Sequence, residues 1–356
     1  MRLFATAFQA HATIQALASR YQGFILDQFG VLHNGQHALP GAVELVEYLA
    51  RANKKLIILS NTSSPAHTTL RRLPGLGFDP DHFIGAVTSG DEASRLIRET
   101  YGGGDCDENG RRDDDEADVG PKRFVWFTWG KGNSNAPSPL HFLKQCGHVE
   151  PTLSVEEADF VVAHGSGVIR GPGLSDDDGD IGFQSMGSFL EDGDLTEVDK
   201  VLKKCLELDL PMICANPDFV VQYSDGFRYM PGNIARRYQE MGGRCTTFGK
   251  PHSEHFEACI RELGLDKDDV VHVGDSLHHD IAGANLAGIP SIFITGGIHA
   301  DELGAAIGDM PDEKRLNILF EREGATPTHV LPMFRLYDGA DRNDTNLPPK
   351  NKKSSR

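Results

Sequence analysis

The chain has 356 residues, 39% hydrophobic and 24% charged, an ordinary balance for a soluble globular protein long enough for two domains. Its 52 acidic against 35 basic residues leave a formal charge of −17, which opposes a sequence-independent grip on nucleic acid or on an anionic membrane surface, because both rest on Lys and Arg. No apolar run approaches the roughly 18–20 uninterrupted residues of a membrane span, so a transmembrane protein is excluded.

The first twenty residues carry Arg2 and Arg20 and no acid, with no apolar core of the secretory kind; a cytoplasmic protein is expected, with a mitochondrion or plastid left open. The apolar run GFILD (23–27) then predicts a strand ending at Asp27, followed by a helix around Ala42 to Ala52, the strand KLIILS (55–60) and a helix after Pro65. Strands alternating with helical segments imply a parallel sheet covered on both faces. From about Ala93 to Gly243 the chain has strands of its own, RFVWFTW (123–129), ADFVVA (158–163) and PMICA (211–215), with helices around Leu140 and Val198. The βα pattern then returns with a helix around Glu254 to Leu263, the strand DVVHVGD (269–275), a helix from Asp280 to Ala287 and the strand PSIFIT (290–295). These boundaries predict a discontinuous core, 18–92 with 244–335, and an inserted domain, 93–243.

Two acidic low-complexity stretches, 102–122 and 175–194, read as solvated surface loops, and the polar segment 336–356 as a disordered tail. Six cysteines without a CxxC pair fit a reducing compartment with free thiols and give no support for zinc.

Four signals bear on chemistry, and each alone is ordinary. Asp27 at a strand end emerges where open α/β folds place ligands, but such an acid also serves turns and caps. Ser60-Asn61-Thr62 ends the next strand and brings a hydroxyl, an amide and helix-start N–H groups towards an anion site, or is a plain N-cap. Lys250, in FGKP, precedes a Pro suited to the first turn of a helix. Asp275 ends a buried strand and Asp280 stands five residues later at the mouth of the next helix, a pair suited to a hard cation with oxygen ligands. His164-Gly165-Ser166-Gly167, after ADFVVA, reads as a loop turn, with a reach into the site as the alternative.

Taken in this order, FILDQFGVLHNG (24–35), IILSNTSS (57–64), FGKPHSEHFEA (248–258) and VHVGDSLHHDIAGANLAGI (271–289) resemble the haloacid dehalogenase (HAD) superfamily, most closely its class IIA branch, which includes NagD-type phosphatases and pyridoxal phosphatase. CANPDFVV (214–221) looks like that branch too. The resemblance implies a Rossmann-like parallel three-layer α/β core with an inserted α/β cap domain that selects the substrate. It implies a Mg2+-dependent hydrolase of a small phosphorylated substrate in which Asp27 is the nucleophile. Asp27, Asp275 and the backbone carbonyl of Phe29 would hold Mg2+, with Asp280 orienting its water, and Ser60, Asn61 and Lys250 would bind the phosphoryl oxygens. Branch members are often dimers through the cap, so a homodimer is compatible with it.

The chain departs from the family where phosphatases carry a second Asp, two residues after the nucleophile, as acid–base; here it is Phe29. Three readings follow: a phosphatase whose acid comes from elsewhere, with His33 a candidate or a turn residue, or whose leaving group needs none; non-phosphatase chemistry such as C–P bond cleavage; or an impaired enzyme that binds a phosphorylated ligand or partner.

Overall fold

The computed structural model describes residues 8–11, 13–103, 120–130, 138–172, 182–223, 226–306 and 308–336. Most of the acidic stretch 102–122, the first part of 175–194 and nearly all of the 336–356 tail lie outside them. The chain divides into two compact units: one of residues up to Ser60, Thr69–Val87 and Lys250 onwards, the other of Asn61–Thr68 and Thr88–Gly249. The expected boundaries at 92/93 and 243/244 thus move, and 61–68 groups with the second unit.

In the first unit seven strands form one sheet, in the spatial order Gln9–Ala10, His329–Leu331, Ser291–Ile294, Val270–Gly274, Gly23–Leu26, Lys55–Ser60, Gly85–Thr88. The pairings from Gln9–Ala10 through to Lys55–Ser60 are parallel. The two ends of the sequence therefore meet in one sheet, and the strands leading to Asp27 and Asp275 are direct neighbours. Alternation splits their side chains between two apolar layers. Phe24, Leu26, Leu56, Ile58, Val271 and Val273 pack with Leu45, Val46 and Leu49 of helix Ala42–Arg51. Ile25, Ile57, Leu59 and Val270 pack with Phe256, Cys259 and Leu263 of helix Ser253–Leu263 and with Ala284 and Ala287. Helices on both faces make this a three-layer α/β unit.

The unit begins earlier than residue 18, because Gln9–Ala10 pairs with His329–Leu331 and Ile14 and Leu17 are buried in the same layer as Phe24. The helix expected from Asp280 starts instead at Leu277 with a wide π turn, Leu277–Ile281, which runs into helix Ala282–Ala287. Asp280 accordingly sits inside the first turn rather than at its mouth.

The second unit has its own sheet, in the order Cys245–Thr247, Met212–Cys214, Phe160–Ala163, Lys122–Thr128, Val168–Arg170, Phe183–Ser185, with Val149–Thr152 also paired to Lys122–Thr128. Two apolar layers cover it, one around Phe127, Val161 and Leu202, the other around Trp126, Phe142 and Phe160. The end of the second acidic stretch is not a solvated loop: Phe183–Ser185 is a strand, and Met186 and Phe189 are buried in the core. Composition is acidic there, but these apolar side chains outweigh it. Among the described residues no helix is long and apolar enough to cross a membrane.

Each unit buries a histidine in its neutral form. Burial pushes His164, whose Nδ1 pairs with Thr128 Oγ1 at 2.9 Å, down to about 3. Burial, with the charges of His11 and Arg20, pushes His329 down to about 4. An unfolded histidine takes its proton near pH ~6.5. Between that pH and the folded values the unfolded chain binds more protons, so stability is complete above pH ~6.5 and falls as the pH drops towards 4. Urea unfolding followed from pH 8 to 4 should show this decline, and His164→Gln should make it shallower; an unchanged slope would mean that His164 is not held neutral.

Candidate active site

Asp27 and Asp275 come together because their strands pair in register, Leu26 opposite Val273, and the Asp27 N–H donates to the Val273 carbonyl at 2.9 Å. Both chains leave the sheet at its carboxyl edge, where side chains can converge on one point. Glycines make room for the acids. A Cβ on Gly30, which has φ +75, would stand 1.8 Å from Asp275 Oδ2, one on Gly297 2.1 Å from the same oxygen, and one on Gly274 2.1 Å from Asp280 Cγ. The Ile298 N–H donates to Asp275 Oδ2 at 2.8 Å.

Carboxylate oxygens of Asp27, Asp275 and Asp280 lie within 4.8 Å of one another, all buried. Lys250 Nζ, only 2% exposed as a residue, is 2.7 Å from Asp27 Oδ1 and 2.7 Å from Asp280 Oδ1. Asp280 also accepts from His272 Nε2 at 2.8 Å and from the Ser276 N–H at 3.0 Å. Burial opposes its ionisation, but Lys250 and His272 overcome this and hold the carboxyl well below its usual range. Asp275 goes the other way: burial first, then the charges of Asp27 and Asp280, push it well above the carboxylate range despite the Ile298 N–H and Lys250. One ammonium cannot balance three buried carboxylates. An oxygen-only donor set with surplus negative charge, from Asp27, Asp275 and Asp280, fits a hard divalent cation.

The same two chain segments match family models. A haloacid dehalogenase-like hydrolase model matches residues 24–113, and a HAD-hydrolase-like model matches 247–315. Chronophin of Bos taurus is 27% identical over 299 residues, 82% of this chain and 86% of that protein. Over the two segments that the family models match, the chain is similar to the haloacid dehalogenase-like hydrolases. The fold agrees with a haloacid dehalogenase-like hydrolase from Brucella suis (TM-score 0.63, 23% identity, 91% of this chain and 99% of that one). It agrees also with a p-nitrophenyl phosphatase from Archaeoglobus fulgidus (TM-score 0.55, 21% identity, 88% of this chain and 97% of that one).

The other expected site residues of the hydrolase fall into place unevenly. Ser60 is buried at the end of the strand next to the one that carries Asp27. Asn61 opens the segment grouped with the second unit, and its Nδ2 donates to Asp218 Oδ1 at 2.8 Å. The helix start after Pro65 is not left for an anion: the Ala66 N–H donates to Asp91 Oδ2 at 2.8 Å and the Ser64 N–H to Thr62 Oγ1 at 3.2 Å. Pro251 stands before helix Ser253–Leu263 rather than in its first turn. Phe29 is half-buried, with its ring edge-on to His33 at 4.8 Å.

His33 is a turn residue. Its Nδ1 accepts from the Gly35 N–H at 3.1 Å, its Nε2 faces Gln28 Oε1 at 3.4 Å, and burial, with the charge of Arg72, pushes it down to about 4. A neutral imidazole so engaged is not a proton donor for a leaving group. Sequence reasoning missed Gly297-Ile298 and His272. The Thr295-Gly296-Gly297 turn after the strand PSIFIT was the available signal for the former; nothing in the spacing marked the latter.

Without a cation, Asp275 keeps a proton that the unfolded chain has lost above pH ~4, so its contribution to stability declines as the pH rises. Asp275→Asn mimics the protonated group. The variant should melt at or above the wild type in EDTA, by a margin that widens from pH 5 to 8. It should lose the Mg2+-induced stabilisation of the wild type, about 2.7 kcal/mol at a hundred times the dissociation constant. Melting curves in EDTA and in Mg2+ test both; an unaltered response to Mg2+ would remove Asp275 from the cation site.

Proposed function

We propose that this hydrolase is a Mg2+-dependent phosphatase that acts on a small phosphorylated substrate through a phosphoaspartate at Asp27. The observation that carries the reading is the buried Lys250 ammonium 2.7 Å from Asp27 within a cluster of three carboxylates. Asp27, Asp275 and the Phe29 carbonyl would hold Mg2+, which would supply the positive charge that lets an anionic nucleophile approach an anionic ester. Asp27 attacks phosphorus in line, its oxygen forming the new P–O bond as the ester oxygen leaves; water then cleaves the acyl phosphate and releases inorganic phosphate. Ser60, Asn61 and Lys250 bind the phosphoryl oxygens, and Asp280 holds Lys250 in place. The second unit acts as the cap that selects the substrate. The described cysteines are free thiols, which suits a reducing, cytoplasmic setting.

Phe29 narrows the substrate class. With no carboxyl at that position and His33 engaged in its turn, nothing identified near Asp27 protonates the departing oxygen. Esters whose leaving group is already a good anion, such as aryl or acyl phosphates, suit the site best.

Hydrolysis of p-nitrophenyl phosphate and of glycerol phosphate, with Mg2+ and with EDTA, tests the reading. Aryl cleavage should need Mg2+ and disappear in Asp27→Asn, and alkyl cleavage should be slow. Phe29→Asp should raise alkyl turnover towards the ~10²–10⁴-fold contribution of a carboxyl acid–base. Cleavage that persists in Asp27→Asn would overturn the mechanism, and alkyl turnover in the wild type equal to aryl would overturn the role given to Phe29.

A further inference from the structure

The mechanism makes no use of His272, a fully buried histidine in the middle of strand Val270–Gly274. Alternation puts His272 and Gly274 on one face of the strand. On that face the Phe256 ring meets the imidazole edge-on at 5.0 Å. Because Gly274 has no Cβ, the Asp280 carboxylate lies over it, where a Cβ would come within 2.1 Å of Asp280 Cγ. So placed, the carboxylate reaches the residue two positions upstream. His272 Nε2 donates to Asp280 Oδ1 at 2.8 Å, and the same oxygen meets Lys250 Nζ at 2.7 Å. The other oxygen accepts from the Ser276 N–H.

A histidine is an expensive occupant for this layer. Its Nδ1 is buried and finds no hydrogen-bond partner among the described residues. Valine, as at positions 271 and 273, would fill the strand with no stranded polar atom. What the imidazole adds is its one polar contact, the bond to Asp280. Lys250 is fixed from its other end too, since His279 Nδ1 pairs with the Lys250 carbonyl at 3.1 Å.

We propose that His272 is a positioning residue for Lys250: by fixing the Asp280 carboxylate it holds the lysine ammonium beside Asp27, in the place from which it grips phosphoryl oxygens. The identity of that anion rests on the phosphatase reading above. The role is one of orientation, so it should follow the N–H at the Nε2 position and not the ring as such.

His272→Met fills the layer without a donor, and His272→Gln keeps an N–H near the position of Nε2. The Met variant should lose about tenfold in kcat/KM for p-nitrophenyl phosphate and about tenfold in calorimetric affinity for inorganic phosphate with Mg2+, the scale of one hydrogen bond to a charged group. His272→Gln should recover most of both. In an Asp280→Asn background His272→Met should cost little more, because the partner through which it acts is gone. The proposal is overturned if the Met variant binds phosphate as the wild type does, if Met and Gln variants are equally impaired, or if the two substitutions act additively. If no ester is cleaved while phosphate binding still depends on His272 in this way, the positioning role stands and the phosphatase reading falls. If phosphate is neither cleaved from esters nor bound, both fall.

Discussion

Three buried carboxylates around one ammonium form the constraint on which the rest of the core depends. At an effective dielectric constant near 20, two like charges 4–5 Å apart repel by about 3–4 kcal/mol, and burial adds a further penalty for each ion. The structure divides this load unequally. Asp280 is held ionised by Lys250, His272 and the Ser276 N–H, whereas Asp275, with the Ile298 N–H as its donor and two acids as neighbours, is driven towards protonation. The cluster therefore fits a cation, which would supply charge where the protein does not. Such a site is costly when empty and strongly ligand-stabilised when filled, which couples folding to the chemistry.

Much else in the unit serves to bring those acids together without a steric clash. Adjacent parallel strands set the approach of Asp27 and Asp275, and such strands are stable only with both faces covered, hence the three layers. Gly30, Gly274 and Gly297 are required by the acids and not by turns alone, since any side chain at these points would occupy the place of a carboxylate. The π turn at Leu277–Ile281 does comparable work: it brings the Asp280 carboxylate down onto Gly274, within reach of Lys250. Wide turns of this kind are frequent at functional sites.

What could be read from the sequence follows from this division. Asp27, Ser60 and Asp275 were legible because each ends an apolar run of strand length, and the end of such a run in a parallel sheet is a place in space. Lys250 was legible by its motif. The environment of these residues was not. The Ile298 and Ser276 N–H groups are main-chain donors that no residue type announces, and His272 sits among valines with nothing to mark it as polar-facing. The helix-start N–H groups expected to join Ser60 and Asn61 at an anion site were not legible for a related reason: the Ala66 N–H is met by Asp91, a residue 25 positions away in the chain. Composition misled once as well. The acidic stretch ending at Asp194 averages as a loop, yet Met186 and Phe189 are core residues, and burial is decided by individual side chains and not by the mean.

Under the proposed function, Phe29 would leave the site half of its chemistry. In the proposed mechanism its part in holding the cation uses the main-chain carbonyl, which any residue provides, so a benzyl side chain in place of a carboxyl would leave that ligand and phosphoryl capture by Asp27 in place. What the proposed mechanism would lack is proton handling, in both directions: among the described residues no acid is identified for the departing oxygen, and no base for the water that would attack the phosphoaspartate. Dephosphorylation of Asp27 would be the same for every substrate, because the leaving group has gone, whereas departure depends on the leaving group. An acidic leaving group lowers the first barrier alone, until the second governs the rate. Specificity in such an enzyme would then be set in the first step by the acidity of the leaving group, with the cap left to recognise its shape.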